Sequence, residues 1–329
     1  MSDSRRPAVP GIVLVALAAS MWGSDAILRR FLAVGEISAS VIVMLEHVLL
    51  TIVFLPALLK VRPVISRLDA KDWASLVLIG GGASILATTL FTQAFAYGDF
   101  IAPALLQKLQ PVFAILLAAL LLGERLMRRY WIFFVGAVAG AWLISFPGQT
   151  KALLTGGEVS FAVQESEAAL FALGAAALWG MGTVLGRRLT PKIPFARLTA
   201  LRFAIGLPIG VLVVVLQGRM GEVTTLAWEQ WWAVLWLALI PGGAGLLVYY
   251  RGLGRTSASA ATIGELAFPL MALVYGWFFV GNEIDGYVLT GVAVLIGVIV
   301  AMGLAQARRR NEGIGVVAPE QSEPALAEV

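Results

Sequence analysis

Apolar runs of about twenty residues recur along almost the whole chain, separated by short segments that carry charges. The hydrocarbon core of a bilayer is about 30 Å thick and needs about 20 apolar residues in a helix, so each run has the length of a membrane span. The sequence accommodates ten such runs, at 11–28, 38–59, 73–97, 100–121, 130–147, 168–186, 195–217, 229–250, 257–280 and 287–307. The pattern predicts an all-α polytopic membrane protein with ten transmembrane helices.

The low proportion of charged side chains excludes the water-soluble classes. Hydrophobic residues make up 59% of the 329 residues and charged residues 13%, whereas soluble domains average about 45–50% and about 25%. This composition leaves too little polar surface for a soluble globule, a disordered protein or a coiled coil. The sequence has no cysteine, which also excludes disulfide scaffolds and thiolate-bound metals.

Lysine and arginine are distributed unevenly between alternate loops. With ten crossings, 18 of the 24 basic residues fall on the side of the N-terminus and four on the other side, at Arg29, Arg30, Lys151 and Arg219. The positive-inside rule then predicts that both termini are cytoplasmic. Because the basic residues are spread over short loops, they indicate topology, and no nucleic-acid partner is expected. The predicted location is the cytoplasmic membrane.

The two halves of the sequence repeat each other weakly, at an offset of about 158 residues. Pro111 matches Pro269 at this offset, and the segment 19–24 falls on 176–181 at 157. Each half holds five spans, an odd number, so the second half enters the membrane from the opposite side. The sequence therefore predicts two inverted five-helix repeats, which allow alternating access around a site between them.

Short motifs give the chain a resemblance to a known family. An alanine precedes Trp-Gly by three residues at 19–23 and again at 176–180, Leu-Arg-Phe occupies 201–203, and Tyr-Arg-Gly-Leu occupies 250–253. Together with the proline-centred fourth and ninth spans, this order resembles the drug/metabolite transporter superfamily, in the branch of ten-helix bacterial exporters with two EamA domains. The resemblance implies secondary transport, commonly export of amino acids or related metabolites, through a cavity lined by both halves. One departure is Leu45-Glu46-His47, where the family pattern has arginine and an aromatic residue.

The repeat and the resemblance together predict the domain organisation. A cytoplasmic N-terminus and a disordered cytoplasmic tail flank the two repeats, which an extracytoplasmic linker joins. The predicted boundaries are 1–10 for the N-terminus, 11–147 for the first EamA-like repeat, 148–167 for the linker, 168–307 for the second EamA-like repeat and 308–329 for the tail.

Five ionisable side chains lie well inside the predicted spans: Glu46, His47, Lys108, Arg202 and Glu265. A charge at the bilayer centre costs about 2.5–3.5 kcal/mol on insertion scales, and such residues usually face a cavity or a partner. One interpretation is that they form neutralising pairs that only hold helices together. The other is that they bind substrate, and His47 beside Glu46 also offers a proton site for a proton-coupled carrier.

Pro111 and Pro269 are the predicted hinges of the cavity. Each frees a backbone carbonyl one turn back, and in a membrane such a carbonyl must face protein or a wet cavity. Polar and aromatic side chains near these prolines and at matching repeat positions are the substrate-binding candidates. They are Trp22, Glu46, His47, Gln107, Lys108, Gln110, Trp179, Arg202, Tyr250, Glu265 and Phe268.

The chemistry of these candidates favours a zwitterion with an apolar side chain. Lys108 offers an ammonium to a carboxylate, Glu265 offers a carboxylate to an ammonium, and the aromatic rings suit an apolar group. The predicted function is export of neutral, apolar or aromatic amino acids by alternating access. Nucleotide sugars or phosphorylated metabolites are the alternative substrates, with Lys108 and Arg202 as phosphate ligands.

An enzyme acting on lipid-linked substrates is the alternative from a different class. With one histidine, no cysteine and no metal-ligand or phosphate-loop motif, the sequence offers few groups for acid–base or metal chemistry. Neither an enzymatic activity nor a cofactor nor a bound metal is expected. The expected partners are a small-molecule substrate, the lipid bilayer and, if the carrier is proton-coupled, a proton. The sequence leaves open whether the protein is a monomer or a homodimer.

Overall fold

The computed structural model of the protein describes residues 10–97, 100–122, 130–160, 162–253, 264–265, 267–281 and 285–311. These residues form helices joined by short turns, with no β-strand among them. A helix pairs its own backbone groups, as a segment in lipid requires. The main helices are α1 (Gly11–Val34), α2 (Ala39–Val53), α3 (Ala70–Tyr97), α4 (101–122), α5 (Tyr130–Ser145), α6 (Val163–Leu189), α7 (Phe195–Leu216), α8 (228–253), α9 (Ala267–Val280) and α10 (Gly286–Asn311).

Length and hydropathy identify several of these helices as membrane spans. Six of them, α1, α3, α4, α6, α7 and α8, are long and apolar enough to cross a membrane. A seventh is present if α5 forms one span with the helix Pro147–Thr155, to which it is bent by 96°. The helices α2 and α9 and the first part of α10 are apolar but shorter. The all-α membrane class is confirmed, while the count of ten spans stays a prediction.

Two segments predicted as loops are helical. The sequence predicts that the first span ends at residue 28, yet α1 continues to Val34 and leaves Arg29 only 3% exposed. The predicted linker 148–167 contains most of the helix Pro147–Thr155 and the first turn of α6. The placement of Arg29 in a loop was wrong because the carboxylates of Asp25 and Glu46 pair with its guanidinium inside the bundle.

The packing of the helices follows the repeat. In the first half, α1 packs against α8 and α9, and in the second half α6 packs against α3 and α4. The pairs α2 with α7 and α5 with α10 join helices of the same rank. If each helix is replaced by the helix of the same rank in the other half, the contacts of α1 with α8 and α9 become those of α6 with α3 and α4, and the other two pairs are unchanged. Each half completes the packing of the other, so the core lies between the repeats.

The glycines of the Trp-Gly motif explain how α1 and α6 approach their neighbours. A Cβ on Gly23 would lie 3.0 Å from Cβ of Met271 in α9, and a Cβ on Gly180 would lie 2.9 Å from the backbone N of Ala114 in α4. Both distances are shorter than a normal Cβ contact, so a side chain at either position pushes the helices apart. The motif is thus a close-packing device that serves both halves.

Gly180→Ala is expected to lower stability by about 1–3 kcal/mol, the usual cost of overpacking a tight contact. Gly186→Ala is the matched control on the same helix, because nothing lies within 4 Å of the added Cβ. Alanine also favours a helix interior over glycine by about 0.5–1 kcal/mol, so the control is expected to be neutral or stabilising. Thermal unfolding of the purified proteins in detergent compares them, and equal midpoints would contradict the close-packing account.

Candidate functional site

Aromatic and charged side chains from both halves meet where α1, α8 and α9 approach α4. The ring of Trp22 lies 5.0 Å from that of Tyr249, and the Tyr249 hydroxyl donates a hydrogen bond to Glu265 Oε1 at 2.6 Å. Lys108 Nζ lies 4.1 Å from the ring centroid of Phe268, and its charge interacts with that of Glu265. The structure therefore brings together four of the predicted site residues and adds Tyr249.

The matching region of the other half contains the same ring contact, with a glutamine in place of the glutamate and a phenylalanine in place of the tyrosine. Trp179 lies 5.2 Å from Phe91, which corresponds to Tyr249 at the offset of 158. Gln107 occupies the position of Glu265 at the same offset and donates to the carbonyl of Ala104 at 3.2 Å. The two halves therefore share the ring contact but differ in the groups beside it. The carboxylate of Glu265 and the hydroxyl of Tyr249 belong to the second half.

The two predicted hinge prolines lie beside this site. Helix α4 changes to a 3₁₀ turn at Gln107–Leu109, immediately before the α-helical segment that contains Pro111. Gln110 donates to Thr183 of α6 at 3.0 Å, which ties this break to the other half. Pro269 is buried near the start of α9. Hinge motion at these prolines stays a prediction.

His47 and Arg202 form a separate polar group between α2, α3 and α7. His47 Nε2 lies 2.8 Å from Ser84 Oγ, and its Nδ1 lies 2.8 Å from the carbonyl of Val43. Arg202 Nε donates to the same Ser84 oxygen at 2.9 Å. A carbonyl can only accept, so Nδ1 carries a proton and Nε2 accepts from the serine hydroxyl, which is the pattern of a neutral imidazole.

The partner of Glu46 in the structure is Arg29 of α1. Its Oε2 accepts from Arg29 Nη2 at 2.8 Å, and Arg29 also lies 2.8 Å from Asp25. Arg29 Nη1 donates to Thr92 of α3 at 2.8 Å. Neither Asp25 nor Arg29 was among the predicted site residues: the predicted first span ends at residue 28 and leaves Arg29 outside, while Asp25 lies near that predicted end. Their spacing of four residues, which is favourable for an ion pair on one helix face, was the available signal.

Two π-helical segments, Leu78–Leu86 in α3 and Ala238–Gly245 in α8, occupy matching places in the repeats. Within them the carbonyls of Ala83 and Pro241, which are 158 residues apart, accept side-chain hydrogen bonds from other helices. The donor to Pro241 is Trp22 Nε1, at 3.0 Å. Such segments are frequent at functional sites, and the glycine clusters at 80–82 and 242–245 were their only sequence signal.

Tyr250, the remaining candidate, lies in the helical segment Leu246–Leu253, and its side chain lies outside the described residues. A polar cavity of about 340 Å³ lies between α2, α3 and the end of α7 and is lined by Ser38, Ala39, Ser40, Thr89, Gln93, Gln217 and Arg219. Near this cavity Glu222 accepts hydrogen bonds from the backbone N and hydroxyl of Ser38. This contact joins the start of α2 to the segment after α7.

An ion-pair group joins the start of α3 to the segment after α6. Lys192 donates to Asp72, and Arg188 lies 3.4 Å from the same carboxylate. The hydrogen bond to Asp72 holds the pKa of Lys192 above its ordinary value, so the contact persists at neutral pH. Exchanging the halves maps this junction onto the hydrogen bond from Gln230 Nε2, at the start of α8, to the carbonyl of Gly35, after α1, at 3.2 Å.

A helical membrane bundle of two exchangeable halves, with charged side chains held between them, has the architecture of a secondary transporter. The model of the EamA-like transporter family matches residues 9–146 and 166–304. The chain belongs to this family, which confirms the predicted resemblance to the drug/metabolite transporter superfamily.

Similar proteins include other transporters. The riboflavin transporter ImpX of Fusobacterium nucleatum subsp. nucleatum is 29% identical over 293 residues, covering 88% of this chain and 95% of ImpX. The uncharacterized transporter YvbV of Bacillus subtilis (strain 168) is 24% identical, covering 92% of this chain and 95% of YvbV. A chain known from a crystal structure matches with a TM-score of 0.57 and 20% identity, covering 90% of this chain and 98% of that chain, which supports the fold alone. The predicted amino-acid specificity gains no support from these relatives.

Proposed function

We propose that the protein is a secondary carrier for a flat aromatic metabolite and that riboflavin is the leading candidate substrate. The observation that carries the proposal is the pairing of Lys108 and Glu265 with aromatic rings between the halves, in a chain 29% identical to a riboflavin transporter. The Trp22 and Tyr249 rings offer surfaces for stacking. The Lys108 ammonium offers a donor to a ring carbonyl, and the Glu265 carboxylate an acceptor for a ring N–H.

The same site supports a second candidate, an aromatic amino acid. Lys108 and Glu265 have the opposite charges that a zwitterion needs, and their interaction with each other would be exchanged for contacts with the substrate. Phosphorylated metabolites fit less well. The second cation predicted for them, Arg202, donates to Ser84 and to the carbonyl of Ala83 in a different helix group.

The rest of the sequence-based account is part of this proposal. The carrier would have ten spans in two inverted repeats, bounded by residues 11–147 and 168–307, with both termini in the cytoplasm of a bacterium and the protein in the cytoplasmic membrane. The exchange of helix contacts between the halves supports a two-fold relation between the repeats, and their inversion follows from the odd number of spans predicted for each half. Net export stays a prediction, as does the choice between monomer and homodimer.

Counterflow in proteoliposomes tests the substrate. Vesicles with the purified protein are loaded with unlabelled compound and diluted into labelled riboflavin, tryptophan, leucine or a nucleotide sugar. Saturable counterflow of labelled riboflavin is expected. Unlabelled riboflavin added to the outer solution is expected to inhibit it. Counterflow of tryptophan alone would favour the second candidate. Counterflow of the nucleotide sugar alone, or of none of the compounds, would contradict the proposal.

Tyr249→Phe is expected to lower the affinity for the substrate by at least about tenfold, because a hydrogen bond to a charged group contributes about 1.5–3 kcal/mol. The change copies the first half, where phenylalanine stands at the matching position, and it removes the donor that orients Glu265. Tyr287→Phe, at the start of α10, is the matched control. The measurement is the KM of counterflow, and an unchanged KM would remove Tyr249 from the site.

A further inference from the structure

Arg29 lies between two carboxylates in the first half of the bundle. Its Nη2 donates to Glu46 Oε2 at 2.8 Å, and its Nε lies 2.8 Å from Asp25 Oδ1. When both carboxyls are ionised, this group of three carries one net negative charge away from bulk water, which is costly. One proton on either carboxyl removes that net charge.

Asp25 is the carboxyl better placed to take up the proton. Its side chain is 21% exposed, compared with 9% for Glu46 and 4% for Arg29. Although Asp25 Oδ1 and Arg29 Nε are close, they are not aligned as a hydrogen bond. Glu46, in contrast, accepts an aligned hydrogen bond from Nη2. Protonation of Asp25 therefore gives up the weaker of the two contacts.

The position of Asp25 connects it to the substrate site. Trp22 lies three residues earlier on α1, and residues three apart share a helix face. Trp22 contacts Tyr249 of the second half, while Arg29 holds α1 to Glu46 of α2 and Thr92 of α3. When Asp25 is neutral, the full charge of Arg29 acts on Glu46, so α1 is held more tightly to its own half. When Asp25 is ionised, the two carboxylates share that charge.

Other ionisable groups on the surrounding helices have partners of their own. On α3 the group facing Arg29 is the neutral hydroxyl of Thr92. Among the described residues on the helices packed around this group, Arg30 contacts the carbonyl of Phe95, His47 and Arg202 contact Ser84, and Tyr249 contacts Glu265. Tyr275 of α9 packs against Phe279, and Arg251 near the end of α8 is exposed. Arg29 and Glu46 are the charges that act on Asp25.

We propose that Asp25 is the proton-binding group of a proton-coupled transport cycle, in place of the His47 site that the sequence suggested. In the uptake step, a proton from water that reaches the 21% exposed side chain of Asp25 bonds to a carboxylate oxygen, and the contact with Arg29 Nε breaks. Arg29 keeps its bonds to Glu46 and Thr92. Release of the proton to water on the opposite side restores the ion pair. The proposal rests on the proposed function, because a coupling ion has a role only in a carrier.

The first test measures protonation directly and needs no substrate. Infrared difference spectra of the purified protein between alkaline and acidic pH detect carboxyl groups that gain a proton in a dry environment. A protonated-carboxyl band is expected in the wild type, absent in Asp25→Asn and shifted in Asp25→Glu. Glu158→Gln, in an exposed segment, is the control and should leave the band unchanged. A band that persists in Asp25→Asn would overturn the proposal.

The second test separates exchange from coupled transport in proteoliposomes. Counterflow requires no net proton movement, so Asp25→Asn is expected to keep riboflavin counterflow within about threefold of the wild type. Accumulation driven by an imposed pH gradient is expected to fall at least tenfold in Asp25→Asn and to survive in Asp25→Glu. If the wild type performs counterflow but no gradient-driven accumulation, the proton proposal fails and the carrier remains. If the wild type moves no riboflavin, the proposed substrate fails and the infrared test still decides the proton site.

Discussion

Replacing Lys108 with alanine is expected to lower substrate transport by about 10- to 100-fold while leaving the protein folded. Lys108 lies over the Phe268 ring and interacts with the charge of Glu265. A hydrogen bond from a charged donor contributes about 1.5–3 kcal/mol, and each 1.4 kcal/mol corresponds to about tenfold in affinity. Because the lysine is only partly buried and its truncation removes a charge without burying another, the loss should appear in transport and not in stability.

Counterflow and thermal unfolding of the same preparation separate these two effects. Lys151→Ala is the matched control, because Lys151 is exposed on the helix Pro147–Thr155. Glu265→Gln is expected to lower transport to a similar extent. The amide can still accept from the Tyr249 hydroxyl, but the negative charge is lost. Normal transport by Lys108→Ala would show that this lysine is a packing residue and that substrate binds elsewhere.

Arg29→Met is expected to reduce the free energy of unfolding by about 3–5 kcal/mol, the usual cost of removing one partner from a buried ion pair. The guanidinium is 4% exposed and faces both Asp25 and Glu46 at 2.8 Å. Without it, two carboxylates share a site with no cation between them. Arg30→Met is the control on the same helix, since its contact is a single hydrogen bond of 3.4 Å to a backbone carbonyl.

A combined variant shows whether the charge itself is responsible. Arg29→Met together with Asp25→Asn and Glu46→Gln removes all three charges and is expected to recover a large part of the lost stability. The yield of folded protein and the unfolding midpoint in detergent are the measurements. If Arg29→Met is as stable as Arg30→Met, the group of three does not stabilise the packing of α1 against α2 and α3.

The sequence was sufficient for features that follow from local pattern. The apolar runs predicted helices, and the internal offset paired Trp22 with Trp179, which the structure places in matching ring contacts, Trp22 with Tyr249 and Trp179 with Phe91. The positions of the lysine and the glutamate next to the two prolines led to the prediction of one site, and the charge of Glu265 acts on Lys108, but their joint binding of substrate stays a prediction. These predictions succeed because a repeat places equivalent residues at equivalent positions.

The features that the sequence did not predict depend on which side chains meet across helices. Arg29 was assigned to a loop because a charge normally ends a span, and only the positions of Asp25 and Glu46 make its burial acceptable. The π-helical segments were not predicted because glycine clusters are equally typical of close helix packing. Substrate identity depends on a few contacts in the cavity, and the amino-acid prediction rested on charge balance, aromatic residues and the family resemblance, which many substrates share.

Equilibrium binding of riboflavin to the purified protein tests the central claim most directly. Flavin fluorescence is quenched when the ring stacks on an aromatic side chain, so titration in detergent reports both affinity and stacking. The account predicts saturable quenching by the wild type and by Trp228→Ala, whose tryptophan is 67% exposed, and at least tenfold weaker binding by Trp22→Ala. Two results would contradict a flavin site between the two repeats. One is equal binding by Trp22→Ala and Trp228→Ala, and the other is the absence of saturable riboflavin binding in all three proteins.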